Sequence, residues 1–295
     1  MICAVSSSSI TTLMLNQQMN SSVNAFKFVL SHHFIEHINV KFQNDPARLD
    51  LFKQWLAYRA NFENRVRYIG EDEVLEYFNI QGEDDIYASC AYFAGHFIFD
   101  ELTHQSQTYV DYGIDVSSII NYKNFLGRGD NPIFEKTLTD GGNESPNALC
   151  KYFKNESNVT FIDNYINKKS IDFIKHVIMG LRNGAHVTIV TKKASFNKAK
   201  SFVCNDIAAV RSDLNIYFYY LDEDKEFHDR HILIGNRIYI RSTSGLDAFS
   251  YNGLWNNREG TFSVYDVHES TTVKNFNARD ISGSLIAMKI KRVDV

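Results

Sequence analysis

The second half of the sequence, from about residue 158, alternates short apolar runs with amphipathic helical stretches. Residues 159–163, 186–191 and 215–220 are short runs rich in Val, Ile, Phe and Tyr, which is typical of buried strands. A helix capped by Ser170 and ended by Asn183 and Gly184 is predicted between the first two runs, and a second helix over residues 196–210. This order predicts an α/β fold, with a largely parallel or mixed sheet flanked by helices.

Two further strands are predicted at residues 228–234 and 237–242, joined as a hairpin by the Gly-Asn turn at residues 235–236. The first of these strands opens with His228, Asp229, Arg230 and His231. Since side chains alternate across a strand, His228 and Arg230 share one face and Asp229 and His231 the other. We therefore predict that one imidazole and one guanidinium converge on a site suited to an anion.

The first half is predicted to be a mainly α-helical domain over residues 1–145, followed by the α/β domain over residues 146–295. Apolar residues at three- and four-residue spacing predict a helix over residues 22–42. Asp45 is a good cap and Pro46 suits the first helical position, so a second helix begins there. Residues 71–78 and 85–102 are predicted as two more. Glycine and proline concentrate between residues 109 and 158, which is the expected boundary region.

The charge is unevenly distributed along the chain, although the net charge is only −4. Residues 1–157 carry 12 basic and 20 acidic side chains, a balance of −8, whereas residues 158–295 carry 19 and 15, a balance of +4. The second half is therefore the better partner for a polyanion. Lys192 and Lys193 follow a predicted strand and could neutralise phosphates of a nucleic acid, or they could belong to a solvated helix start.

Several classes of protein are not indicated. No run approaches the roughly 18 apolar residues of a membrane-spanning helix, so integral membrane insertion is not expected. The four cysteines form no C-x-x-C pair, which favours a reducing cytoplasm. His33 and His37 lie one helical turn apart without a visible third ligand, and residues 126–130 lack the ending of a phosphate loop. We predict neither a metal site nor a cofactor.

The order strand, helix, strand, helix, strand, followed by His-x-Arg, a hairpin and Ser-Thr-Ser-Gly-Leu-Asp at residues 242–247, resembles the phospholipase D-like superfamily. The His-Asp-Arg form with a downstream Gly-Leu-Asp resembles most the C-terminal domain of MIT-domain-containing proteins and related bacterial domains. The resemblance covers residues 159–249 and includes Asp163, in an Asp-Asn-Tyr sequence after the first strand.

This resemblance implies chemistry on phosphodiesters. His228 would be the nucleophile or the acid, and a neutral imidazole is nucleophilic near neutral pH. Arg230 would take the place of the family lysine and hold the phosphate with two parallel N–H groups. Since one chain supplies one motif histidine, catalysis would require a homodimer. The remaining predicted phosphate contacts are Ser242, Ser244, Lys192 and Lys193, and the predicted supporting residues are Asp229, His231, Asp163 and Asp247.

Two departures from the family motif leave alternatives open. Arg230 replaces the lysine, and Gly235 stands where the aspartate would fall. The chain could be an active nuclease or other phosphodiesterase, a module that binds phosphate or a headgroup without turnover, or an assembly protein whose acidic first half does the work. The charged residues at the strand entrance could also form a purely structural network, and the serines could serve only the turn.

Overall fold

The structure is a computed structural model of the chain. It describes residues 1–16, 19, 22–62, 65–101, 106–125, 134–138, 147–221, 229–249, 260–267 and 285–286. No helix within these ranges is both long and apolar enough to cross a membrane.

The chain divides into two compact units, residues 1–131 and 132–295, each with its own hydrophobic core. The division lies inside the glycine-rich region in which we expected a boundary. A boundary between residues 145 and 146 would assign residues 134–138 to the first unit. They instead form a strand of the second unit's sheet.

The first unit contains a five-stranded parallel sheet in the order β3-β2-β1-β4-β5. Its strands are β1 (Ile2–Val5), β2 (Lys27–Ser31), β3 (Val66–Ile69), β4 (Phe97–Phe99) and β5 (Asp115–Ser117). The helices are α1 (Ser7–Leu15), α2 (His32–Lys41), α3 (Pro46–Ala57), α4 (Glu71–Tyr77), α5 (Glu83–Phe93) and α6 (Gln107–Tyr112). Helical residues outnumber strand residues, in line with the predicted mainly helical domain, but the helices flank a parallel sheet that was not predicted, so this unit is also α/β.

The predicted helix over residues 22–42 is wrong in its first part, because Lys27–Ser31 is strand β2 and α2 begins only at His32. Phe28, Val29 and Leu30 are all fully buried. A central parallel strand is covered on both faces and reads as a continuous apolar run, which periodicity cannot distinguish from a buried helix. The predicted helix over residues 85–102 likewise ends at Phe93 and is followed by β4.

The predicted cap of α3 is confirmed. The Asp45 carboxylate accepts a hydrogen bond of 3.1 Å from the backbone N–H of Arg48, and Pro46 occupies the first turn. The α-helix ends at Ala57 and continues as one π-helical turn, Tyr58–Phe62.

The second unit is built on an eight-stranded mixed sheet in the order β13-β9-β8-β7-β10-β11-β12-β6. Its strands are β6 (Phe134–Leu138), β7 (Asn158–Ile162), β8 (His186–Lys192), β9 (Asn215–Leu221), β10 (Arg230–Ile234), β11 (Ile238–Ser242), β12 (Gly260–Asp266) and β13 (Leu285–Ile286). Strands β7, β8 and β9 are parallel, whereas β10 runs antiparallel to β7. The predicted α/β class, the succession of β7, β8, β9, β10 and β11 along the chain, and the hairpin of β10 and β11 are confirmed.

The helices of this unit are α7 (Asn147–Cys150), α8 (Lys168–Ile178), α9 (Lys193–Ser201) and α10 (Ala208–Val210). A π-helical turn, Phe202–Ile207, joins the last two, so the predicted helix over residues 196–210 is present but starts earlier. The predicted cap of α8 is corrected. Asn167, not Ser170, is the N-cap, and its side chain accepts hydrogen bonds from the N–H groups of Lys169 and Ser170.

The two faces of this sheet differ. One face carries the main core, to which the apolar stripe of α8 contributes Ile171, Ile174, Val177 and Ile178. The other carries a small cluster of Ile162, Val190, Tyr239 and Tyr265. Because side chains alternate, residues one position beyond Ile162 and Val190 point toward the face of the main core. This alternation determines which polar side chains meet at the ends of the strands.

Candidate functional site

Polar side chains of the second unit meet at the edge of the sheet where β7 and β8 end and β10 begins. Asp163 directly follows β7, Thr191 and Lys192 close β8, and Arg230 opens β10. Since His231 is paired with Ile162 in the antiparallel register, the preceding Arg230 lies beside Asp163. We call Asp163, Tyr165, Thr191, Lys192 and Arg230 the Asp163 cluster.

Asp163 is the buried centre of this cluster, with 1% of its surface exposed. Its Oδ1 accepts hydrogen bonds from Arg230 Nε at 3.3 Å and from the N–H of Tyr165 at 2.8 Å, while Oδ2 accepts from the N–H of Leu246 at 2.9 Å. Burial raises the pKa of Asp163, and the two N–H donors and the charge of Arg230 oppose that rise. The carboxylate thus ties three separate segments together.

The ring of Tyr165 brings two cations together. Lys192 Nζ lies 3.9 Å from the ring centroid, and the guanidinium carbon of Arg230 lies 5.5 Å from it. Both distances are within the range of cation–π attraction. Tyr165 is 46% exposed, so the ring is accessible from solvent, whereas the side chain of Arg230 is 13% exposed. Positive charge is thereby concentrated at one accessible position.

Thr191 adds a hydroxyl group without a partner. It lies opposite Asp163 in the register of β7 and β8 and, like Asp163, points toward the main-core face. The side chain is fully buried, and its Oγ1 has no hydrogen-bond partner among the residues that the structure describes. A buried hydroxyl without a partner is costly, which favours an additional bonding group at this position.

The loop after β11 borders the cluster. Ser242 pairs with Arg230 in the register of the hairpin, so both side chains point to the same face. The Ser242 hydroxyl donates to the carbonyl of Ser244 at 2.9 Å and accepts from its N–H at 3.3 Å, which is turn chemistry. A Cβ at Gly245 would collide with the Asp247 carboxylate, so glycine allows the chain to approach Asp163 here. Asp247 also accepts a hydrogen bond from the side chain of Asn167.

Asp229 and His231 are directed away from the Asp163 cluster, as the alternation predicts. Asp229 accepts a hydrogen bond from Arg241 Nε at 2.6 Å. His231 Nδ1 lies 2.7 Å from the Tyr239 hydroxyl, and the rings stack. Burial lowers the pKa of His231 to about 4. His231 is therefore a neutral residue of the second face at neutral pH.

The remaining predicted site residues are placed as follows. His228 lies outside the described residues, so its predicted convergence with Arg230 stays a prediction. Lys193 is exposed and makes no contact with the cluster within the described ranges. Sequence reasoning gave no role to Tyr165 or Thr191, although both stand where a strand ends. The carboxyl ends of parallel strands are where ligand groups collect, and that signal could have identified them.

Gly235, which stands where the family motif has aspartate, has a structural explanation. It adopts a positive φ of 55° in the hairpin turn, and a Cβ there would lie 2.7 Å from Glu156 Oε2. Glu156 is fully buried and forms an ion pair with the buried Arg237. A buried ion pair takes the space into which an aspartate side chain would point.

His33 and His37, the two histidines considered for a metal site in the first unit, both lie in α2. His37 Nε2 contacts the Tyr87 hydroxyl at 3.2 Å. In the part of the chain that the structure describes, no group of three or more His, Cys, Asp or Glu side chains could hold a metal ion.

Residues 145–275 match a family model and form a phospholipase D-like domain. The family is the phospholipase D-like domain found at the C-terminus of MIT proteins, as the His-Asp-Arg and Gly-Leu-Asp motifs predict. The match extends beyond the resemblance seen in the motifs at both ends. No curated protein sequence is significantly similar to the chain.

The chain is also similar, at low sequence identity, to several solved structures. NucT from Helicobacter pylori is 13% identical, with a TM-score of 0.36, over 52% of this chain and 99% of that chain. Nuc, a phospholipase D family member from Salmonella typhimurium, is 13% identical, with a TM-score of 0.36, over 53% and 99%. The archaeal chromatin protein TrmBL2 is 14% identical, with a TM-score of 0.30, over 55% of each chain. The family match, rather than these likenesses, identifies the domain.

Proposed function

We propose that the second unit is a phosphodiester-directed domain, in which Arg230 and Lys192 hold the phosphate of a nucleic acid. The observation that carries this proposal is the convergence of these two cations, from different strands, on the exposed ring of Tyr165. Two cations on one accessible ring suit a phosphate, and the ring offers a surface on which a base can stack. The balance of +4 in residues 158–295 supports the same ligand.

The hydrogen-bonding groups of the Asp163 cluster also suit an anionic ligand. Asp163 orients Arg230 by accepting a hydrogen bond from its Nε, which fixes the direction of the guanidinium fork. Thr191 supplies a buried hydroxyl that can donate a hydrogen bond to an oxygen of the ligand. In this proposal the Ser242 and Ser244 turn shapes the border of the site.

For catalysis we propose that His228 attacks phosphorus and expels the leaving oxygen, giving a phosphohistidine that water then hydrolyses. A second histidine must protonate the leaving group, so this step requires a homodimer that pairs two copies of His228. The support is the family match and the position of His228 two residues before Arg230.

The binding proposal is tested with the full chain and a fluorescent single-stranded oligonucleotide, titrated at several salt concentrations. Lys192→Ala is expected to weaken binding and to reduce the slope of log affinity against log salt by about 0.7. Lys193→Ala, the matched neighbour outside the cluster, is expected to leave the slope nearly unchanged. Equal effects of both substitutions would refute a site at the Asp163 cluster.

The catalytic proposal is tested by phosphodiester cleavage with purified wild-type protein and His228→Ala. Cleavage is expected only in the wild type and only in the fraction that sedimentation shows to be dimeric. Cleavage by His228→Ala at the wild-type rate would exclude this mechanism, and retained oligonucleotide binding by the variant would show that the fold is intact.

A phosphate- or headgroup-binding module without turnover is the second candidate, and Gly235 favours it. The buried Glu156 and Arg237 pair leaves no room for the motif aspartate at that position. Salt-sensitive binding that survives His228→Ala, is lost with Lys192→Ala and is never accompanied by cleavage would identify this function. Anionic lipid vesicles compared with oligonucleotides would identify the ligand.

A further inference from the structure

Helix α9 begins directly at the carboxyl edge of the second unit's sheet. Strand β8 ends at Lys192 and α9 begins at Lys193, so no loop separates them. The first N–H groups of a helix have no partner within the helix, and the helix dipole adds positive potential at this end. The N-cap residue is Lys192, whose ammonium group only donates and cannot accept hydrogen bonds from these N–H groups. The start of α9 therefore suits an anion.

Thr191 is an independent feature that indicates a ligand at the start of α9. Its side chain is fully buried, and Oγ1 lacks a hydrogen-bond partner in the described part of the chain. The side chain points toward the main-core face, and α9 packs on that same face through Phe196 and Ala199. The hydroxyl is therefore directed toward the first turn of α9. A ligand oxygen placed there would bond both to the hydroxyl and to the N–H groups of the helix.

The start of α9 is also held next to the Asp163 cluster. The Ser195 hydroxyl, in the first turn of α9, donates a hydrogen bond of 2.8 Å to the carbonyl of Asn164, which directly follows Asp163. Lys192 Nζ lies over the ring of Tyr165, 3.9 Å from its centroid. Both contacts join the start of α9 to the segment that follows β7. An anion bound at α9 would therefore be adjacent to the phosphate of the proposed function.

Asp163 lies between two positions that an anion can occupy. One residue beyond the pairs of His231 and Val190 with β7, the register of the sheet places Asp163 between Arg230 and Thr191. Neighbouring strands are about 4.8 Å apart, so the backbones at Arg230 and Thr191 are separated by roughly 10 Å. The Asp163 carboxylate stands between them. The edge therefore has room for one phosphate on the Arg230 side and for a second on the Thr191 side.

We infer that the start of α9 and Thr191 bind the terminal phosphomonoester of a nucleic-acid strand. This inference rests on the proposed function, because the first phosphodiester of that strand is then the phosphate held by Arg230 and Lys192. A phosphomonoester carries a charge of about −1.5 to −2 at neutral pH and three acceptor oxygens, more than a phosphodiester offers. It is joined to the strand by a single ester bond, so it can project toward a buried hydroxyl while the strand stays at the surface. The Thr191 hydroxyl, the helix N–H groups and Lys192 supply its donors.

The test measures the affinity of the full chain for single-stranded oligonucleotides of one sequence that carry an internal fluorophore. They end in a 5′-phosphate, in a 3′-phosphate or in hydroxyl groups only. We expect one phosphorylated end to bind at least about tenfold more tightly than the hydroxyl ends, because hydrogen bonds to a charged group are gained. Equal affinity of all three oligonucleotides, with binding that still depends on Lys192, would overturn this inference and leave the proposed function intact.

Substitutions at Thr191 distinguish recognition of the terminal phosphate from a structural effect. Thr191→Val removes the hydroxyl while keeping the shape of the side chain, and it is expected to abolish the preference for the phosphorylated end. Thr191→Ser keeps the hydroxyl and should keep the preference. Thr188→Val, at a position of β8 that faces the other side of the sheet, is the matched control and should leave the preference unchanged. A preference that persists in Thr191→Val contradicts the assignment.

The remaining outcomes concern the identity of the ligand. If no oligonucleotide binds, or if Lys192→Ala and Lys193→Ala have equal effects, the proposed function and this inference are both wrong. Equal affinity for the three oligonucleotides, together with Thr191-dependent binding to phosphatidylcholine vesicles that contain phosphatidic acid, would assign the phosphomonoester to a lipid and refute the nucleic-acid end. Circular dichroism verifies that each variant is folded. Because the Thr191 hydroxyl has no partner among the described residues, Thr191→Val is expected to be as stable as the wild type.

Discussion

Arg230 and His231 are adjacent in sequence but lie in opposite environments. Arg230 is directed toward Asp163 at an accessible edge, whereas His231 is buried against Tyr239 on the second face. One step along a strand therefore separates a candidate ligand group from a structural one. Charge alone would not have separated the two roles.

The pH dependence of the free energy of unfolding should reveal the lowered pKa of His231. Its pKa is about 4 in the folded chain and near 6.5 when unfolded, so the unfolded state takes up the proton first as the pH falls. The contribution of neutral His231 to the free energy of unfolding is complete above pH 6.5 and is lost as the pH decreases toward 4. The total loss is about 3 kcal/mol. Guanidinium unfolding at pH 7 and pH 4 measures the loss, which should be absent in His231→Gln and retained in the exposed His32→Gln. A wild-type-like pH dependence in His231→Gln would contradict the assignment.

Gly235 and Gly184 provide a matched pair for substitution by alanine. Both have a positive φ, 55° and 73°, but only at Gly235 would a Cβ meet another group, Glu156. Gly184→Ala should cost about 1 kcal/mol from backbone strain alone. Gly235→Ala should cost about 2 to 4 kcal/mol, because the ion-paired Glu156 must also move. Urea denaturation measures both, and equal losses would show that Glu156 does not constrain the turn.

At the scale of elements, α8 and β2 show what a pattern can and cannot determine. The helix has a polar start, an apolar stripe and a glycine-containing end, so the sequence predicts it, although its cap lies at Asn167 rather than Ser170. The strand has only a buried apolar run, which fits a helix as well. Amphipathic elements were therefore predictable, whereas central parallel strands of the first unit were not.

The cap of α8 is itself open to test. Asn167 accepts hydrogen bonds from the N–H groups of Lys169 and Ser170 and donates one to Asp247. Asn167→Ala should destabilise the second unit by about 1 to 2 kcal/mol. Lys168→Ala, at the next exposed position, should change stability by less than about 0.5 kcal/mol. Thermal unfolding of the two variants provides the comparison, and equal melting temperatures would exclude a capping role.

At the scale of the whole chain, two units with separate cores should each fold alone. Fragments 1–131 and 132–295 are expected to unfold cooperatively. A fragment of residues 146–295 lacks β6 and leaves β12 as an edge strand, in which Phe262 and Val264 are paired only with β11. We expect it to be less stable and to aggregate, as measured by calorimetry and light scattering. Equal stability of fragments 132–295 and 146–295 would favour a domain boundary between residues 145 and 146.

The sequence by itself determined the α/β class of the second unit, the succession of its central strands along the chain and the alternation that separates Arg230 from His231. These features depend on local periodicity and on turn residues, and both can be read from positions that are close together in the sequence. Only the tertiary structure decided that β2 is a strand and that Lys192 and Arg230 meet at Tyr165. Those features depend on contacts between residues distant in the chain, and such contacts form only when the sheets bring separate strands and helices together.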